Sequence, residues 1–440
     1  MSASGQKIHL LERCFHLIDN KTTVSKELLA GLTTFVTMAY AFLLIPTMLA
    51  QTGIDFNAAM TATVIVGIYS TCMAAFFANV PFAVAPGISL IVYFTYVVSI
   101  DGGVATPVGL ALCFLTGVLL WTLNTLRLRA LLIETIPSAL RFATIGGIGI
   151  FLAVIGLKNG GILVASTHAL SFATPFGFPQ IMTVVGLFLI ALLMFFRVYG
   201  ALFWGIVLVW IIAALFGEVE YNGVFAAPSS LSSTLFKLDV SAALTVAHIK
   251  FLLSLLFIAL FDSTGSVLAL SSCAKILKQK NERIKIPRVQ RIFTCDATGT
   301  MLGGILGTSP NAFFLEAAAG INIGGRTGLT ACTTALLFVI MLFLAPLITT
   351  IPLYATAPAL IIVGGMMLRS IKEIEWSKVS EWIPAFLALI LIPLTFDIAL
   401  GVGVGYITYC GIKLITAQIN QVHWFNWVIA AIFVLKFLLL

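Results

Sequence analysis

Charge is scarce in this sequence: 9% of its 440 residues are Asp, Glu, Lys or Arg, where an ordinary soluble domain carries about a quarter. With 60% hydrophobic residues and a mean hydropathy of +1.11, the chain excludes a soluble enzyme, a nucleic-acid-binding module and a disordered scaffold. Paired cysteines are missing too. Cys14, Cys72, Cys113, Cys273, Cys295, Cys332 and Cys410 are scattered with no Cys-x-x-Cys, so neither a metal site nor a disulfide framework is indicated, and no cofactor is expected. A Walker-type phosphate loop, an intact Gly-x-Ser-x-Gly and a His-Glu-x-x-His are all absent, which argues against ATP-driven work by this chain and against a membrane-embedded hydrolase. The alternating pattern of a membrane β-barrel does not occur. Charged Lys7, Glu12, Arg13, Asp19, Lys21, Lys26 and Glu27 leave no room for a cleavable signal peptide at the start.

Long apolar runs fill the space that charge leaves. A helical span needs roughly 20 mostly apolar residues. Spans are expected at 28–48, 60–79, 86–100, 107–125, 138–157, 178–196, 200–216, 247–271, 289–307, 311–321, 326–349, 354–370, 382–397 and 398–417. A further apolar stretch, 424–440, is an extra or interfacial helix. The fold class is therefore an all-α polytopic membrane protein with 14 spans. With the N-terminus cytoplasmic, 20 of the 24 Lys and Arg residues fall on the inner side, Arg129, Arg141 and Arg369 among them. Only Lys158, Lys237 and Lys250 fall outside, and Lys436 lies in the tail. That asymmetry reports topology, so the net charge of +7 does not point to nucleic acid. The cluster over 275–291 could also touch anionic lipid.

Two spans, 86–100 and 311–321, are short, and each follows a proline-containing break, Ala85-Pro86-Gly87 and Thr308-Ser309-Pro310. They hold the third place in the first seven spans and in the second seven. Paired interrupted segments of this kind mark an inverted-repeat transporter with a site near the membrane midplane. The expected organisation is a cytoplasmic segment 1–27, a first repeat 28–216, an extracytoplasmic linker 217–246, a second repeat 247–417 and a C-terminal apolar segment 418–440.

A carboxylate at the centre of a span costs roughly 2.5–3.5 kcal/mol, so acids inside apolar runs are informative. Asp262 lies in Leu260-Phe261-Asp262-Ser263-Thr264-Gly265-Ser266, and Glu316 lies in Leu315-Glu316-Ala317-Ala318-Ala319-Gly320. Burial favours the neutral form of a carboxyl, so each is a candidate to carry a coupling proton or to bond a polar solute. Asp296 is read as structural, paired with Arg291 or a backbone group, and Asp397 as a solvated loop residue. His168 and His248 are read as surface residues near the outer face, and Tyr93, Phe94 and Tyr96 as packing.

Several strings resemble one family. They are Glu27-Leu28-Leu29-Ala30-Gly31-Leu32-Thr33-Thr34-Phe35 with Met38-Ala39-Tyr40, Ala85-Pro86-Gly87, and Phe261-Asp262-Ser263-Thr264-Gly265. Further on come Glu316-Ala317-Ala318-Ala319-Gly320, Gly324-Gly325-Arg326-Thr327-Gly328-Leu329-Thr330 and Tyr354-Ala355-Thr356-Ala357-Pro358-Ala359-Leu360. In this order they resemble the nucleobase–cation symporter 2 (xanthine/uracil permease) superfamily, in its AzgA-like branch of adenine, guanine and hypoxanthine permeases. The resemblance implies 7+7 inverted repeats, with a core domain of spans 1–4 and 8–11 and a gate domain of spans 5–7 and 12–14. Spans 3 and 10 would pair as short strands before half-helices. It implies proton symport of a purine nucleobase by alternating access. Asp262 and Glu316 would bind the base or carry the proton, and Gly87, Ile88, Ser89, Asn311 and Ala312 would complete the site. The expected partners are the base, the coupling proton, the lipid bilayer and a second copy in a homodimer, in a bacterial inner membrane. Ile91 stands where the branch has an asparagine, Ala312 and Phe313 where it has threonines, and Pro310 and Asn311 also depart from it. These losses of hydrogen-bonding groups keep an alternative open: an anion or other small-solute carrier on the same fold. A channel or membrane-bound enzyme is a more distant third reading.

Overall fold

The computed structural model describes residues 11–129, 135–165, 170–219, 223, 225–274, 286–395 and 397–439. In the first half, α1 (Val24–Met38) runs at Ala39 into α2 (Tyr40–Ala50), followed by α3 (Phe56–Phe76), strand β1 (Val84–Pro86) and α4 (Ile88–Val92). A π-helical stretch, Tyr93–Asp101, extends α4. Then come α5 (Thr106–Thr125), α6 (Ser138–Asn159), strands β2 (Leu163–Ala165) and β3 (Leu170–Phe172), α7 (Phe178–Phe195) and α8 (Ala201–Leu215). The second half holds α9 (Val246–Cys273), α10 (Ile286–Leu306), β4 (Asn311–Phe313), α11 (Ala317–Ile323) and α12 (Gly328–Phe343). It closes with α13 (Leu353–Met367), α14 (Val379–Thr395), α15 (Ile398–Ile415) and α16 (Trp424–Leu439).

Eight helical segments among the described residues are long and apolar enough to cross a membrane, and shorter apolar helices accompany them. Phe188, Leu192 and Phe195 on α7, Leu336 and Ile340 on α12, and Leu394 on α14 stay exposed. Apolar side chains directed outward from a chain this poor in charge belong against lipid. The protein is a multi-pass membrane protein.

Helix ends follow local chemistry. Asp55 caps α3 by accepting from Ala58 N at 2.8 Å, and Asp397 caps α15 by accepting from Leu400 N at 3.1 Å. Asp397 also accepts from Ser254 Oγ at 3.4 Å, so it ties α15 to α9. The expectation of a free, solvated loop residue is corrected: the first backbone N–H groups of α15 need an acceptor, and Asp397 supplies one.

Strands β1 and β4 come from distant parts of the chain and pair antiparallel, with Val84 opposite Phe313, Ala85 opposite Ala312 and Pro86 opposite Asn311. A two-stranded ribbon inside a membrane protein has two open edges, whose backbone groups need partners. Flanking helices supply them. Thr71 of α3 accepts from Val84 N at 3.0 Å and donates to Val84 O at 2.7 Å. Thr300 of α10 accepts from Asn311 N at 3.0 Å. The ribbon continues through Gly87 N to Pro310 O (2.9 Å) and Phe314 N to Ala83 O (3.1 Å).

Helices pack most extensively in two sets. In one, α12 lies on α1 and α3, α10 on α3 and α5, α9 on α5, and α11 on α1. In the other, α13 lies on α6 and α7, α14 on α6 and α15, and α16 on α15. The segment between α8 and α9 crosses the ends of the first set. Thr234 donates to Leu306 O at 2.7 Å, and Ala226 N donates to Phe343 O at 3.1 Å. In that segment the Ala242 backbone N–H and the Ser241 hydroxyl hold the Asp239 carboxyl below its ordinary pKa.

Two further acids find partners that the sequence does not announce. Asp296 pairs with Arg129 at 2.5 Å, and both side chains are fully buried. The pairing with Arg291 is therefore corrected, and so is the placement of Arg129 in an inner loop. Arg129 sits over the Phe293 ring at 4.0 Å. A charge this deep needs its counter-charge beside it, and only the approach of α10 to the end of α5 provides one. Glu27, also fully buried, accepts from Arg326 N at 2.8 Å, Thr330 N at 3.1 Å and Thr330 Oγ1 at 2.6 Å. It fastens the start of α1 to the start of α12. His168 and residues 275–285 of the basic cluster lie outside the described residues.

Candidate functional site

The strand pair sets the floor of a cleft between the two helix sets. Its lining includes Tyr40, Ile88, Ser89, Asp262, Ala312, Phe313, Phe314, Glu316, Val363 and Met367. The cleft encloses about 750 Å3, counting the space open to solvent. Most of the wall is apolar; among the described residues its charged side chains are Asp262, Glu316 and Arg369.

Asp262 comes from the middle of α9 and Glu316 from the turn between β4 and α11. Ser89 Oγ, in the first turn of α4, donates to Asp262 Oδ2 at 2.5 Å. Tyr40 OH, at the start of α2, donates to Glu316 Oε1 at 2.6 Å. Each carboxyl is thus held by one hydroxyl from the first half of the chain, and each remains only half-buried. Hydrogen bonds to charged acceptors are the stronger kind, so both side chains keep a fixed orientation toward the cleft.

Close packing places these groups. Gly87 lies against Ala312, and a Cβ at Gly87 would come within 2.8 Å of the Ala312 Cβ. The small pair lets the two strand ends meet. At Gly320 any side chain would collide with Ala30 O and Thr34 Oγ1, which is how α11 seats on α1 and carries Glu316 inward.

Of the seven expected site residues, Ile88, Ser89, Asp262, Ala312 and Glu316 line the cleft. Gly87 lies behind Ala312. Asn311 is fully buried and donates through Nδ2 to Ser70 Oγ at 2.6 Å. Alternation along β4 accounts for this: neighbours in a strand face opposite ways, so Ala312 meets the cleft while Asn311 turns toward α3. Ile91 is buried in the core. Phe313 does reach the wall and meets the Phe82 and Phe293 rings edge-on, with centroids at 6.2 and 6.5 Å. Tyr93, Phe94 and Tyr96 are packed in the interior. Tyr96 OH donates to Asn159 Oδ1 at 2.7 Å.

The sequence pattern alone does not single out Tyr40 as a site residue. The signal was present: a phenol in the apolar run Met38–Ile45 must find a hydrogen-bond partner when buried. Which partner it finds depends on α11 reaching α1 across 276 residues.

The helical bundle has a fold already seen in solved membrane proteins. The transmembrane domain of a cyanobacterium bicarbonate transporter, BicA, superposes with a TM-score of 0.62 at 16% identity, covering 86% of this chain and 96% of that one. That likeness concerns the fold. The Permease family profile matches residues 25–408, and the chain belongs to that family. The guanine/hypoxanthine permease PbuO of Bacillus subtilis is 35% identical over 97% of this chain and all of its own length. The adenine permease AdeP of Escherichia coli is 33% identical over 98% of this chain and 96% of its own.

Proposed function

We propose that this permease imports a purine nucleobase (adenine, hypoxanthine or guanine) by proton symport. The observation that carries the reading is the pair of carboxyls, Asp262 and Glu316, lining one cleft. Each is oriented by a single hydroxyl, from Ser89 and from Tyr40. A purine offers ring N–H and amino donors to such acceptors and flat faces to the apolar walls. The names of PbuO and AdeP, similar along nearly the whole chain, support the same substrate class.

In this reading Asp262 and Glu316 bind the base or carry the coupling proton, and the main chain at Gly87–Ser89 and Asn311–Ala312 completes the site. The fold is 14 spans in two inverted repeats, 28–216 and 247–417, joined by an extracytoplasmic linker over 217–246. The set containing α1–α5 and α9–α12 acts as a core that moves against the set containing α6–α8 and α13–α15. The two packing sets support that division. The N-terminus is cytoplasmic in a bacterial inner membrane, and two copies form the working dimer.

The test is uptake of radiolabelled adenine, hypoxanthine and guanine by cells lacking their own permeases, with and without a protonophore. Saturable uptake of a purine that collapses with the proton gradient is the expected result. Expression in the membrane without uptake of any base overturns the reading and turns the search toward anions and other small solutes.

A further inference from the structure

A second cavity adjoins the cleft. It shares Asp262, Ser266, Leu315, Met366 and Met367 with it, and it encloses about 950 Å3, counting the space open to solvent. The unshared wall is built from the first turns of α6, from α9 around Gly265 and Ala269, and from Ser370 just beyond α13. Among the described residues, two charged side chains face this chamber, Asp262 and Arg141.

Arg141 is half-buried, and its guanidinium lies over the neighbouring Phe142 ring at 5.0 Å. Among the described residues its guanidinium has no hydrogen-bond or ion-pair partner, while Asp262 is bonded to Ser89 instead. The two opposite charges thus share one chamber without meeting. Gly265 contributes no side chain between them, and a Cβ there would meet only Ile145, at 3.0 Å from its Cδ1. A donor fork on one wall and a carboxyl on another suit a flat solute that has acceptors on one edge and N–H groups on the other.

We infer that this chamber is a second, transient station on the inner side of the substrate cleft, where Arg141 receives the acceptor edge of the purine as it leaves Asp262. The inference rests on the purine reading above. Arginine forks onto the O6 and N7 acceptors of an oxopurine, whereas glutamine forks onto the N6 amino group and N7 of adenine. Arg141 is then a determinant of which base is released readily, separate from the groups that capture the base in the cleft.

The test uses the full-length protein in membrane vesicles of both orientations, with hypoxanthine and adenine, comparing the wild type with Arg141→Gln and Arg141→Lys. Arg141→Gln is expected to raise the KM for hypoxanthine from the inner face about ten-fold. It should raise the inner-face KM for adenine by a factor about five smaller, and the outer-face KM for either base less than the inner. Arg141→Lys keeps the charge without the fork and should show a smaller hypoxanthine effect. It serves as the test variant if Arg141→Gln does not insert. Equal shifts at both faces, equal shifts for both bases, or unchanged inner-face KM values overturn the inference while leaving purine transport standing. Wild-type vesicles that carry neither base overturn both.

Discussion

Removing the Asp296 carboxylate should destabilise the protein strongly. Asp296 and Arg129 are both completely buried and meet at 2.5 Å. Arg129 has little else: Nη1 reaches Phe293 O only at 3.5 Å, and Nε has no hydrogen-bond partner. Asp296→Asn therefore strands a guanidinium with one weak carbonyl contact and an aromatic face. Breaking a buried ion pair from one side costs about 3–5 kcal/mol, and each 1.4 kcal/mol is roughly a tenfold change in an equilibrium. The folded-to-unfolded ratio at a fixed denaturing condition should fall by a factor of some hundreds or more. Arg129→Met strands the carboxylate and should cost a similar amount. The double change Arg129→Met/Asp296→Leu removes both charges and keeps apolar volume, so it should recover most of the loss, since buried pairs replaced by packed apolar groups are often neutral. The assay is thermal or denaturant unfolding of detergent-solubilised protein, with the wild type, Arg129→Met, Asp296→Leu and the double variant arranged as a double-mutant cycle and Asp296→Asn measured beside them. Single variants as stable as the wild type would refute the reasoning. So would a double variant that loses the sum of the two single effects.

The remaining expectations concern the cleft. Glu316→Gln should abolish uptake at normal membrane abundance, measured with radiolabelled purine beside an immunoblot; wild-type rates would remove Glu316 from the mechanism. Tyr40→Phe deletes the hydroxyl that holds Glu316 at 2.6 Å. A hydrogen bond to a charged group is worth about 1.5–3 kcal/mol, so uptake at subsaturating substrate should drop roughly ten-fold or more; an unchanged rate would show that the carboxyl needs no support. Gly87→Ala places a methyl 2.8 Å from the Ala312 Cβ, and overpacking of this kind costs about 1–3 kcal/mol. Adding Ala312→Gly should restore stability and uptake together, and a compound variant worse than Gly87→Ala would place the clash elsewhere.

Hydropathy is a property of neighbouring residues, and for that reason much of the architecture is legible in the chain itself. The apolar runs at 138–157 and 398–417 correspond to helices at 138–159 and 398–415. The two short, proline-led segments correspond to strand-and-helix pieces at 84–92 and 311–323. Asp262 and Glu316 stand out because an acid inside an apolar run is costly wherever the fold takes it. Arg129 misleads for a related reason: at the end of an apolar run it reads as a loop charge, and nothing nearby in sequence announces Asp296, 167 residues away.

What sequence alone determined here was the membrane as solvent, the placement of the helices and the two carboxyls worth watching, since each depends on short stretches of chain. Tertiary structure decided which hydroxyl holds which acid, which face of β4 meets the cleft, where Glu27 and Arg129 find partners, and that Arg141 shares a chamber with Asp262. Those outcomes depend on helices far apart in sequence meeting at a particular register. A one-residue change of face along β4 separates Ala312 in the cleft from Asn311 against Ser70, and only the pairing of β4 with β1 and its packing between α3 and α10 settles it.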